Sequence, residues 1–494
     1  MKGSIPSEVS QVTKALEQAG FEAYLVGGCV RDLLLGHKPK DWDVTTNANP
    51  EQIQALFEKT FYENDYGTVG VVNEGTEDDT LKVIEVTPYR KESGYSNARH
   101  PDSVEFGTSL EEDLKRRDFT VNAIALNVSG LPAQAGETVD PFGGREDLKR
   151  KIIKAVGEAR ERFAEDALRM LRAIRLTAQL NFALDERTAA AIQENAEKLG
   201  LISKERIRDE FIKILMTDQP MMALGVAQKL GILRYMAPDL ERGIGISQNQ
   251  AHKYDVWEHN LRTLQHAADK SWTLEVRLAA LFHDVSKPET RRFSEEKQDY
   301  TFYGHDVVGG RVTKKILSDL KFPKEIVDKV SNLVRWHMFF SDPEKVTLSA
   351  VRRMIRNVGG GPNMELLLNL RVCDRIGTGR PKEQPFRLRK YISMVEEAQR
   401  DPISVQMLKI NGARLMEVTG EKPGPKLGHA LNALLEEVLD DPSRNTEEYL
   451  EKRALELTQL PEDELKRLGE QGKEKKEAAE EAEVEKIRGK YWVS

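Results

Sequence analysis

Within residues 24–44 the chain places, in order, an apolar triplet, two glycines, an arginine and two aspartates. Gly27-Gly28 permits a tight turn, and with no Cβ in the way an anion can come close to the backbone. Residues 30–35 follow a helical pattern that Gly36 ends. The amides at a helix start attract phosphate, and Arg31 adds a full positive charge. Asp41 and Asp43 stand two apart. On a strand that spacing puts both carboxylates on one face, where they can hold the same divalent ions. Glu85, in the alternating run Lys82-Val83-Ile84-Glu85-Val86, is a candidate third carboxylate. An anion cradle followed by paired metal-binding carboxylates suits the transfer of a phosphoryl-linked group.

A second group of chemically capable residues lies far along the chain. His259, the pair His283-Asp284, His305, His337 and Asp374 are spread over about 115 residues of helical pattern. Imidazole and carboxylate together suit a divalent transition metal, and several helices can each contribute one ligand to a bundle site. Lys287, three residues after Asp284, is placed to meet a phosphate.

The elements that must position these residues are of two kinds. As far as about residue 127 strand-like and helical segments alternate, with Ser109 and Glu112 opening a short acidic helix as a capping box. Residues 50–60 read as a helix, and residues 67–72 and 81–87 as strands. Residues 89–106 are polar, rich in turn formers and without periodicity, and read as an exposed loop. Beyond residue 150 the pattern is helical throughout. We therefore expect an α+β protein: an α/β head over residues 1–150, a helical neck over 151–245, a histidine-bearing helical domain over 246–385, a helical body over 386–457 and a charged tail over 458–494. The tail reads as a solvated helix or disorder.

Bulk composition narrows the class. The 494 residues carry a net charge of −7, and 31% are charged. That balance does not suit indiscriminate coating of nucleic acid, although local basic surface still permits specific binding. No apolar run approaches the roughly 20 residues of a membrane span. The start of the chain reads as an amphipathic helix near Ser7 rather than a signal peptide. The two cysteines, Cys29 and Cys373, provide neither a disulfide framework nor a thiolate metal site. The cytoplasm is the expected compartment.

Three stretches carry a family likeness: the Gly-Gly, Arg-Asp and Asp-x-Asp series above, then Arg116-Arg117-Asp118-Phe119-Thr120 with Asn122-Ala123, then Glu165-Asp166-Ala167-Leu168-Arg169. Together they resemble the class II nucleotidyltransferases, the tRNA CCA-adding enzymes and bacterial poly(A) polymerases. The resemblance implies that Asp41 and Asp43 are catalytic and hold Mg²⁺. It implies nucleotide contacts for Gly28, Arg31 and Arg117, with Asp118 positioning and Asn122 supporting the site. It also implies that Asp166 and Arg169, three apart in one helix pattern, read the base. Cytosine and adenine both present an amino donor beside a ring-nitrogen acceptor, which a carboxylate and a guanidinium complement; guanine and uracil present the reverse order. Arg172 and Arg175 would serve the triphosphate, base stacking or helix anchoring. Residues 89–106, with Arg90, Glu92, Ser93, Gly94, Arg99 and His100, resemble the flexible loop that the complete enzyme needs for the final adenosine.

The histidine region resembles the HD phosphohydrolases. By that match His259, His283, Asp284 and Asp374 are metal ligands, with His305 and His337 serving a second metal or the substrate phosphate. The implied partners are tRNA, CTP and ATP, with no membrane. The implied activity is template-independent addition of CCA to tRNA 3′ ends, with a phosphatase or phosphodiesterase activity on 2′- or 2′,3′-cyclic-phosphorylated RNA ends beside it. The C-terminal body would touch the tRNA elbow, with Lys422 and Lys426 near phosphate. Three alternatives share these motifs: an enzyme adding only the terminal A, a poly(A) polymerase, and an HD phosphohydrolase whose head merely binds RNA.

Overall fold

The computed structural model describes residues 5–62, 67–93, 103–106, 109–128, 137–249, 253–339, 342, 344–400 and 405–493. Met1–His337 with Asn369–Pro381 form one compact unit, and Met338–Leu368 with Lys382–Ser494 form another.

The head is built on one mixed sheet. Its strands are β1 (Ala23–Val26), β2 (Asp43–Thr46), β3 (Thr60–Tyr62), β4 (Val69–Val72) and β5 (Val83–Pro88), and after the pair β6 (Arg90–Ser93) and β7 (Ser103–Phe106) come β8 (Ala125–Leu126) and β9 (Thr138–Val139). The spatial order is β3-β4-β5-β2-β1-β8-β9. Only β2 and β5 run parallel, in the register Asp43 to Glu85; every other neighbour in this sheet is antiparallel. Helix α1 (Ser7–Gln18) buries Val9, Val12 and Leu16, which recur at helical spacing. Each such side chain contributes roughly 1.5–3 kcal/mol of burial.

Several head elements differ from the expectation. The α2 helix (Gly28–Leu35) begins at the second glycine rather than at Val30, and its cap Gly36 has φ of 80°. The helix α3 (Pro50–Leu56) is shorter than residues 50–60, because the chain turns at Phe57 into extended backbone and then into β3. Residues 89–106 are not simply an exposed loop. Their ends pair as an antiparallel ladder from Arg90↔Phe106 to Ser93↔Ser103, where each chain satisfies the other's backbone groups. Gly94, Arg99 and His100 lie outside the described residues. The helices α4 (Leu110–Lys115) and α5 (Gly144–Arg150) complete the head.

The neck comprises α6 (Ala159–Glu165), α7 (Leu168–Leu180), α8 (Glu186–Asn195), α9 (Lys204–Leu215) and α10 (Pro220–Lys229). It also carries a two-residue parallel ladder of β10 (Ile152–Ile153) and β11 (Ala183–Leu184). Arg277, buried, ties the neck to the next domain by donating to the carbonyl oxygens of Leu215 at 2.7 Å and Thr217 at 2.9 Å.

That next domain holds α11 (Val256–Asp269), α12 (Leu274–Phe282), α13 (Lys287–Thr290), α14 (His305–Asp319) and α15 (Lys324–Trp336). A hairpin of β12 (Arg292–Ser294) and β13 (Asp299–Thr301) joins α13 to α14. Gly310 lets α14 lie close on α15, since a Cβ there would stand 3.1 Å from the Ser331 carbonyl oxygen. The chain continues through α16 (Leu348–Val358) to α17 (Gly361–Gly377), which carries Asp374.

The C-terminal helices are α18 (Phe386–Gln399), α19 (Gly412–Thr419), α20 (Pro425–Asp440), α21 (Glu447–Thr458) and α22 (Glu462–Lys490). Leu415, Leu434, Leu450, Leu457 and Leu465 meet in their core. The charged tail is therefore a packed helix rather than a free one: Leu465, Gly469 and Gly472 of α22 are buried, the two glycines against His429 and Asn432 of α20.

Candidate active site and metal centre

The Gly27-Gly28 turn is the floor of the head site. Gly27 has φ of 78°, a conformation that L side chains rarely adopt. A Cβ on Gly27 would stand 3.0 Å from Asp43 Oδ2 and 3.3 Å from Arg117 Nη1. A Cβ on Gly28 would stand 3.6 Å from Arg31 Nη2 and 3.8 Å from Asp41 Oδ1. Two carboxylates and two guanidinium groups thus converge on a turn that lacks side chains. Asp43 lies on β2, but Asp41 occupies the bend before it, so the pair is aligned by the turn rather than by a shared strand face. Glu85 is in register with Asp43, yet among the described residues the three carboxylates do not gather as a three-ligand group.

Buried acids and amides hold the cations of the site. Arg31 donates to Asn122 Oδ1 at 2.9 Å and to Asp32 Oδ1 at 2.8 Å. Asn122 in turn donates to Asp118 Oδ1 at 3.4 Å, and Asp118 pairs with Arg172 at 2.7 Å. Asp113, fully buried, pairs with Arg116 at 2.6 Å and Arg117 at 3.2 Å. Burial alone would raise the Asp113 and Asp118 carboxyls, but the arginines beside them prevail and hold both below the usual carboxylate value. Cys29 beneath the turn is the reverse case: burial and the nearby Asp43 push its thiol up to about 12.

The pair expected to read the base, Asp166 and Arg169, is arranged differently from the expectation. Asp166 and Arg169 do not share a helix face, because the helix breaks between them. Asp166 is the extended residue that ends α6, with φ of −141°, and its Oδ1 accepts the Leu168 N–H at 3.0 Å. Its other oxygen accepts from Arg206 at 2.8 Å. Arg169, in the first turn of α7, donates to Glu165 at 2.6 Å and to the Arg116 carbonyl oxygen at 3.0 Å. That last bond ties the pair to the head. Arg175 is not brought to the cradle. It binds Glu210 of α9 at 2.9 Å and so anchors one neck helix to another.

The second site forms where five elements meet. Nε2 of His259 lies 2.9 Å from Nε2 of His283, 3.2 Å from Asp284 and 3.4 Å from Asp374. His305 and His337 lie 3.3 and 3.7 Å from the other oxygen of Asp284. Among the described residues, donor atoms gather within 4.8 Å as two triads, His259-His283-Asp284 and Asp284-His305-His337, which share the aspartate. Nδ1 of His283, His305 and His337 each faces a backbone carbonyl, of Ala280, Phe302 and Val334, at 2.6–2.9 Å. Those carbonyls fix the proton on Nδ1 and turn each Nε2 lone pair inward, as metal-binding imidazoles require. Burial opposes charge throughout, yet the histidines and Lys287 hold Asp284 well below the usual carboxylate value, while Asp284 and Asp374 push His259 up to about 9. The donor set fits a divalent cation that would take the place of the His259 proton. Lys287 Nζ sits 2.6 Å from both Asp284 and Gln248.

Comparison with known proteins matches these sites to named families. Residues 23–154 match the poly A polymerase head domain, 181–244 the probable RNA and SrmB-binding site of polymerase A, and 256–376 the HD domain. A CCA-adding enzyme of Lactobacillus helveticus is 33% identical over 443 residues, covering 89% of this chain and 94% of that protein. The chain belongs to the CCA-adding enzyme family. The CCA-adding enzyme of Geobacillus stearothermophilus is likewise 33% identical, across 90% of this chain and 95% of its own length. That of Lactobacillus delbrueckii is 50% identical, but the match spans only half of that protein and 42% of this chain. Among solved structures, the Bacillus stearothermophilus CCA-adding enzyme in complex with CTP is 30% identical and aligns with a TM-score of 0.57 over 92% of this chain and 98% of its own.

Two residues of this CCA-adding family member were not singled out from sequence. Asp113 positions Arg116 and Arg117, and its spacing three and four residues before them was the available signal. Arg206 holds Asp166 from 40 residues away, and no local pattern announces it.

Proposed function

We propose that the head and neck add C, C and A to tRNA 3′ ends without a nucleic-acid template, taking CTP and ATP. The observation that carries this reading is the convergence of Asp41, Asp43, Arg31 and Arg117 on the bare Gly27-Gly28 turn. The turn and the amides of α2 receive the triphosphate with Arg31 and Arg117. Asp41 and Asp43 would hold magnesium, whose chemistry there would be to favour the ionised RNA 3′-hydroxyl and to offset charge on the pyrophosphate. The hydroxyl oxygen bonds to the α-phosphorus as the bridge to the β-phosphate breaks. Asp166, braced by Arg206, and Arg169, braced by Glu165 and the Arg116 carbonyl, offer an acceptor and a donor to the base edge. Arg172 pairs with Asp118, which through Asn122 steadies Arg31. A tRNA substrate suits a cytoplasmic enzyme.

The test uses tRNA transcripts ending at the discriminator base, at C and at CC, each with CTP, ATP and Mg²⁺. Growth of all three to CCA is expected. Extension of the CC-ended transcript alone would instead make the protein an A-adding enzyme, and long A tails a poly(A) polymerase.

A second activity is favoured by the two triads that share Asp284. We propose that His259, His283, Asp284 and Asp374 would hold a divalent transition metal, which would supply Lewis-acid polarisation of a phosphate, with His305 and His337 completing the site and Lys287 beside it. Its substrates would be 2′- and 2′,3′-cyclic-phosphorylated RNA ends. Release of phosphate or opening of the cyclic ester by the metal-loaded full-length protein tests this reading.

A further inference from the structure

The β12–β13 hairpin is pinned at both ends to the histidine cluster. Its first flank is α13, whose Lys287 touches Asp284 at 2.6 Å. Its second flank is Phe302, whose carbonyl oxygen faces Nδ1 of His305 at 2.6 Å and whose ring lies 5.5 Å from Lys287 Nζ. Residues 247 and 248 are bonded to the first flank: Ser247 accepts from Arg291, and Gln248 accepts from Lys287.

What the hairpin presents is unusual for a solvent-facing ribbon. Phe293 is 49% exposed and Tyr303 is 75% exposed. Phe293 and Tyr300 are a cross-strand pair, with ring centroids 5.5 Å apart in an edge-to-face arrangement. The Arg291 guanidinium lies 3.5 Å from the Tyr300 centroid, and Lys297 Nζ lies 2.7 Å from the Tyr303 hydroxyl. Exposed rings costing hydration, interleaved with guanidinium and ammonium groups, are the composition of a surface that stacks nucleobases and steadies phosphates. Lys297 Nζ also lies 5.3 Å from the Tyr303 centroid, yet the ring stays three-quarters exposed and Phe293 half exposed.

We propose that the hairpin is the nucleobase platform of the histidine site: Phe293 and Tyr303 stack the terminal base of a phosphorylated ribonucleotide whose phosphate reaches the Asp284 cluster. This rests on the phosphohydrolase reading for its substrate class. Phe293 and Tyr303 are binding residues in this account and take no part in the chemistry.

Photocrosslinking with 8-azidoadenosine 2′,3′-cyclic phosphate on the full chain reads the platform independently of hydrolysis. Peptides spanning residues 291–303 should carry the label, and Phe293→Ala with Tyr303→Ala should abolish it there. In turnover of adenosine 2′,3′-cyclic phosphate by the metal-loaded protein, each variant should raise KM about ten-fold at constant kcat, in the range one stacked base supplies. Turnover of glycerol 2-phosphate, which has no base, should be unchanged. Label confined to other peptides, or an unaltered KM, would overturn the platform while leaving the hydrolase reading intact. Label on the hairpin without hydrolysis of either compound would sustain the platform and remove the hydrolase.

Discussion

Asp41 and Asp43 are held by different means, one by a bend and one by a strand, yet both face the same glycine turn. Asp41→Ala with Asp43→Ala should therefore lower nucleotide addition by roughly 10³-fold or more, since metal-assisted charge stabilisation is worth several kcal/mol. Hydrolysis at the histidine site should be unchanged; primer extension and phosphate release on one preparation check both. Gly27→Ala should impair triphosphate binding and cost about 1–2 kcal/mol of stability, because its φ is left-handed and a Cβ would press on Asp43. Nucleotide titration and thermal melting separate the two effects. Asp113 gives a pH signature. Its folded-state carboxyl lies below the ordinary 3.8, so its stabilisation is present above that value and is lost as pH falls through the lower one. Melting temperature should drop between pH 4 and 3 more steeply in the wild type than in Asp113→Asn, and equal slopes would count against the assignment.

At the scale of elements, the break between α6 and α7 decides how Asp166 and Arg169 are displayed. Residues 165–180 are good helix formers with an apolar stripe at Leu168, Leu171 and Ile174, so the local pattern reads one helix. Only the Asp166 side chain, by accepting the Leu168 N–H and meeting the distant Arg206, makes the interruption favourable. The glycine turn, Asp43 on its strand and the Arg116-Arg117-Asp118 run were legible because their chemistry is local. The triads around Asp284 were legible as residue types, whereas the sharing of Asp284 between them depends on how five elements pack. The tail is the solvated helix that is one of its two readings, and what its charge hides is a narrow packing face of Leu465, Gly469 and Gly472 among lysines and glutamates. Gly472→Leu would drive a side chain into the Asn432 carbonyl and should destabilise the C-terminal helices by about 1–3 kcal/mol, as measured by denaturant unfolding.

Across the whole molecule, the two candidate metal sites lie in one compact unit. Oxygen ligands at Asp41 and Asp43 suit magnesium, and the imidazole-rich cluster suits a transition metal. Addition of CCA without a template requires that protein side chains alone choose the base. The most direct measurement offers a tRNA transcript ending at the discriminator base all four nucleoside triphosphates with Mg²⁺, then sequences the 3′ ends. The account predicts C, C and A and then a stop, with neither G nor U incorporated. Ends carrying G or U, or open-ended A tails, would contradict it.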